Sequence, residues 1–132
     1  MLSGQGQGDP CRNEDSNVAM RECYTREQEI VNSEADSLAK KLAAELRKEA
    51  QDFRTTSWVV SDLVLKAGLQ ITRSQATWRE YRDQYCKAVM YRLTTGTGAG
   101  TAYEDCLYKL GKARLQELQD FSPKNPRPHR NE

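Results

Sequence analysis

Two groups of carboxylates offer this 132-residue chain its most direct route to chemistry. Glu27, Glu29, Glu34 and Asp36 form one group, and Glu45, Glu49 and Asp52 the other. Paired carboxyls of this kind serve glycosidases, where one protonates the leaving group and its partner attacks or activates water. Here Arg26, Lys40, Lys41, Arg47 and Lys48 are interleaved with them, which is the pattern of a solvated helix surface carrying i,i+4 ion pairs. Gly96-x-Gly98-x-Gly100 has the composition of a phosphate loop. It follows a helical pattern rather than a strand and lacks the Gly-Lys-Ser/Thr ending, so it reads as a hairpin loop. His129, the single histidine, stands in a Pro-rich tail with no partner for acid–base work. No catalytic residue emerges, and the chain reads as a protein that is not an enzyme.

The remaining reactive groups are Cys11, Cys23, Cys86 and Cys106. They form no C-x-x-C pair, and one histidine cannot complete a Cys/His zinc site, so no metal and no cofactor is expected. Disulfides are the better reading, and they place the protein in an oxidising compartment, secreted or periplasmic. A formal net charge of +1 argues against nucleic acid as a partner. The charge is uneven: residues 1–60 carry 8 Lys/Arg against 11 Asp/Glu, and residues 61–100 carry 6 against 3. No apolar run approaches the ~18–20 residues of a membrane span. The polar start, Met1 to Asp9, reads as a mature N-terminus rather than a signal peptide.

These groups must be positioned by helices, because no period-2 segment of strand length occurs. Residues 1–15 are Gly-, Gln- and Asp-rich and read as an extended arm tied down at Cys11. Residues 16–120 form a single helical domain, and residues 121–132, with Pro123, Pro126 and Pro128, a disordered tail. Ser16 or Asn17 caps a first helix that runs to Phe53 without Pro or Gly. Its stripe is Met20, Tyr24, Val31, Ala35, Leu38, Leu42, Leu46, Ala50 and Phe53. After the break at Thr55-Thr56-Ser57, Ser61 or Asp62 caps a second helix to about Leu93, with a kink possible at Gly68. Thr101-x-x-Glu104 is a capping box for a third helix to about Asp120, with Tyr103, Cys106, Leu107, Leu110, Arg114 and Leu118 as its stripe. The fold class is all-α, a long antiparallel hairpin with a third helix laid against it and disulfide staples.

That topology brings Cys86 and Cys106 nearly level across a short loop, and leaves Cys11 enough chain to fold back to Cys23. The pairing 11–23 with 86–106 is preferred; 23–86 with 11–106 is also level and stays open. Trp78, Tyr81, Tyr85 and Cys86 share roughly one helix face, a bulky stripe ending in a half-cystine. Arg82 and Asp83 are expected to make structural salt bridges, and Arg82, which flanks the stripe, is placed to clamp a carboxylate of the first helix. Trp58, beside Val59 and Val60, is expected to tuck under the inter-helix connection; left exposed, it would mark a partner site.

Together these residues resemble the LprI-like lysozyme-inhibitor family, secreted bacterial proteins largely of unknown function. The resemblance is carried by Cys23, by Gln75-x-x-Trp78-x-x-Tyr81-Arg82-Asp83-x-x-Cys86, by Cys106 and by Arg114-x-x-x-Leu118. It covers about residues 11–118. Gly111 and Ala39 depart from it, where threonine and asparagine are common. The resemblance implies a helical, disulfide-bonded, non-enzymatic protein of the envelope or exterior that inhibits a lysozyme by protein–protein binding. The alternative is an envelope binding or structural module. Candidate partner-binding residues are Trp58 and the acidic Glu27, Glu34 and Asp36, since animal-type lysozymes are cationic.

Overall fold

The computed structural model describes residues 8–93 and 98–122. Among them are three helices: α1 (Asn17–Phe53), α2 (Trp58–Arg92) and α3 (Ala99–Phe121). The helix α1 starts where Ser16, in extended backbone, accepts the Ala19 N–H on its hydroxyl at 3.0 Å. It stops at the turn of residues 54–56, where Ser57 N–H donates to Phe53 O at 2.8 Å.

Two starts differ from expectation. Ser57, not Ser61 or Asp62, caps α2: it is the residue left extended by the turn, and its hydroxyl accepts the Val60 N–H. Ser61 lies inside the helix, and its hydroxyl donates across to Ala50 O at 2.6 Å. Nor does Thr101 cap α3, which begins after Gly98 with no side-chain cap. The two side chains of the expected capping box bond to α1 instead. Thr101 donates to Asn17 O, and Glu104 accepts from Gln28 Nε2 at 3.1 Å.

Burial follows α1. Of its expected stripe, Tyr24, Val31, Ala35, Leu42, Leu46 and Ala50 are buried, while Met20, Leu38 and Phe53 are half-buried. Ala35, Ala39 and Leu42 meet Leu118 of α3, with Leu38, Ile71 and Leu115 packed around them. Small residues let the backbones approach closely. A Cβ on Gly68 would sit 3.4 Å from Ala43 O and from Leu46 Cβ. A Cβ there would make ordinary contact with α1, and α2 runs through Gly68 as one helix.

The structure joins Cys11 to Cys23 and Cys86 to Cys106, with Cα separations of 5.7 and 5.6 Å. The first bond seats the arm on α1. There Asp9 accepts the Cys11 N–H on one carboxylate oxygen and the Tyr24 phenol on the other. Burial, that hydrogen bond and the neighbouring Asp105 hold the Tyr24 phenol protonated well above the ordinary tyrosine range. Residues 94–97 of the glycine-rich loop and the tail from Pro123, including His129, lie outside the described residues.

The third helix is shorter than the hairpin. It accompanies α1 from Asn17, opposite Thr101, to Leu42, opposite Leu118. Beyond Leu42 the buried residues of α1 are Ala43, Leu46 and Ala50. Over its first seventeen residues α2 buries only Gly68. The last roughly 16 Å of the hairpin is thus a two-helix tip.

Candidate functional site

The Gln75–Cys86 string divides between two environments. Gln75 is buried on the line of α2 that faces α1, together with Gly68 and Cys86. Its amide nitrogen donates to Asp36 Oδ1 of α1 at 2.7 Å, and its carbonyl oxygen accepts from Arg114 Nε of α3 at 2.8 Å. Arg114 also donates to Ser74 Oγ at 2.9 Å and to Glu117 Oε1 at 2.7 Å. A single chain of charge-assisted bonds thus ties all three helices at one level. A second tie lies nearer the disulfide. Arg82 Nη1 donates to Asn32 Oδ1 at 3.1 Å, and Asn32 Nδ2 donates to Leu107 O of α3 at 3.2 Å.

Trp78 is half-buried between these ties. The guanidinium of Arg82 lies 5.1 Å from its ring centre and that of Arg114 5.9 Å. Tyr81 and Tyr85 do not join a core stripe. They are 51% and 49% exposed and stack on each other at 5.8 Å. Around the helix they stand roughly 100–140° from Cys86, outside the arc that α1 and α3 cover. Arg82 pairs with the adjacent Asp83, but its α1 partner is the amide of Asn32 rather than a carboxylate.

The candidate partner residues are dispersed. Asp36 is taken up by Gln75 and by Arg79, at 3.3 Å, in the α1–α2 groove. Glu27 is half-buried and Glu34 exposed. Trp58 is 73% exposed and not tucked under the connection. It opens α2 where α1 has already ended at Phe53 and α3 stops near the level of Leu42, so most of it is left to solvent. Among the described residues, no group of three or more His, Cys, Asp or Glu side chains could hold a metal ion.

Asn32 is the network residue that sequence reading passed over. Its signal is a polar side chain inside the apolar stripe of α1, between Val31 and Ala35, yet 6% exposed. It owes its space to Gly111, where a Cβ would fall 2.5 Å from Asn32 Oδ1 and 2.8 Å from its Cγ.

A family model described as lysozyme inhibitor LprI matches residues 9–118. The chain belongs to the LprI lysozyme inhibitor family. No curated protein matches it, and no solved structure does. The matched span takes in all four cysteines, both polar ties and the whole of α1 and α2. In this LprI member Gly111 and Asn32 act as a matched pair, which gives a direct test. Gly111→Ala is expected to lose about 1–2 kcal/mol in urea denaturation, because overpacking outweighs the ~1 kcal/mol gain in helix propensity. Adding Asn32→Ala should recover part of that loss. Additive effects in the double-mutant cycle would disprove the coupling.

Proposed function

We propose that this protein is an extracytoplasmic, non-enzymatic inhibitor that binds a lysozyme or related cell-wall lytic enzyme through protein–protein contacts. The match to the lysozyme inhibitor family over residues 9–118 carries the reading. Other features support it. Two disulfides suit an oxidising compartment, where cell-wall lytic enzymes also act. The carboxylates of α1 are spread along its surface or tied into structural bonds, with no convergent acid–base pair at Asp36, Glu34 or Glu27. No described helix is long and apolar enough to cross a membrane. Inhibition requires only a surface complementary to the enzyme, and Tyr, Trp and Arg, the residues that dominate binding energies, are exposed on α2 and at the hairpin turn.

The test is a turbidity assay on a cell-wall suspension with excess purified, disulfide-intact protein. The lysis rate is expected to fall at least tenfold for one lysozyme type. Unchanged rates across animal, phage and bacterial lysozymes would refute the reading.

A further inference from the structure

Among the described residues, exposed apolar side chains cluster at the two-helix tip. Within the first twelve residues of α2, six large apolar side chains are exposed: Trp58, Val59, Val60, Leu63, Leu65 and Leu69. At 100° per residue they do not form one stripe. Trp58, Leu65 and Leu69 fall on one flank of α2, Val59 and Leu63 on another, and Val60 beyond them. Only the line through Gly68 is covered, by α1. A single docked helix or a flat surface would cover one flank and leave the other in water. A surface apolar on several sides of a rounded end fits a concave partner.

The apex adds charge to this shape. Arg54 ends α1 at the turn, is exposed, and makes no ion pair among the described residues. Glycoside-cleaving enzymes carry a pair of carboxylates in the cleft. A guanidinium at the leading end of an apolar plug is the complement of such a cleft, and an adjacent indole can occupy a surface built for sugar rings. We infer that the hairpin tip, led by Arg54 and Trp58 and flanked by Leu63 and Leu69, enters the substrate cleft of the target enzyme and blocks it. This rests on the reading of the protein as a lysozyme inhibitor, and makes the inhibition competitive with glycan.

The experiment uses the full chain with both disulfides intact and a lysozyme that it inhibits. Inhibition constants are measured for the wild type, Trp58→Ala, Arg54→Glu and Ile30→Ala, with and without tri-N-acetylchitotriose as a cleft ligand. Ile30 is an exposed apolar residue of α1 away from the tip and serves as control. Each tip variant is expected to weaken inhibition at least tenfold with an unchanged melting curve. Ile30→Ala should match the wild type, and the trisaccharide, by holding the cleft, should raise the protein's apparent inhibition constant. Inhibition that survives both tip substitutions, or an apparent inhibition constant that the trisaccharide leaves unchanged, overturns the tip assignment while the inhibitor reading stands. A wild type that inhibits no lysozyme overturns both. Dimerisation in light scattering, or binding to phosphatidylglycerol vesicles, that is lost in Trp58→Ala would give the tip to a second copy or to lipid and overturn the proposal.

Discussion

Arg114→Ala is expected to remove about 3 kcal/mol of folding stability, as much as truncating a buried core leucine. The arginine is 9% exposed, and among the described residues its guanidinium is the donor that reaches both Gln75 Oε1 and Ser74 Oγ. Truncation leaves a buried amide oxygen without its partner, a loss of about 1–3 kcal/mol. It also removes the packing of the arginine stem and the cation over Trp78. The ion pair with Glu117 adds little, because that carboxylate is 68% exposed. Arg114→Lys should recover only a minority of the loss, since an ammonium cannot span the two acceptors as a planar fork does. Chemical denaturation of the three proteins tests this. A loss below about 1 kcal/mol for alanine, or full recovery by lysine, would show that the network is ornamental to stability.

Removing the second disulfide, by Cys86→Ser with Cys106→Ser, is expected to cost a similar amount. The bond closes a segment with a sequence separation of 20 residues, for which loop-closure entropy gives about 3 kcal/mol. Its position makes the consequence regional. It clamps the start of α3 to the end of α2, where Cys106 and Leu107 pack with Val89, Tyr103 and Leu110. Loss of the clamp should expose the first turns of α3 to hydrogen exchange before the rest. Cys11→Ser with Cys23→Ser should loosen the arm and Tyr24 but leave α3 protected. Equal exchange in α3 for both double variants would contradict this division.

The legibility of the helices in the sequence has a simple basis. Residues recurring at fours and sevens through Tyr24, Val31, Ala35, Leu42, Leu46 and Ala50 can be buried together only on a helix. Caps were less legible. Ser57, Ser61 and Thr101 all have capping hydroxyls, and the choice among them lies with the turn that leaves Ser57 extended and with α1 acceptors reached by Ser61 and Thr101. The motif was recognisable as a string, but its division was not. Gln75 and Tyr81 stand a few residues apart, one inside a three-helix network and the other at the surface.

By itself, the sequence determined that the protein is all-α, that its helices pair as an antiparallel hairpin with a third helix, and that its four cysteines suit an oxidising compartment. Local periodicity and residue chemistry suffice for those. Only the tertiary structure decided which polar groups are interior ties, why Gly111 is small, and which aromatics are left bare. Exposure depends on where neighbouring helices stop. Because α3 ends at the level of Leu42, the hairpin continues alone, and Trp58 lies in solvent rather than in a core.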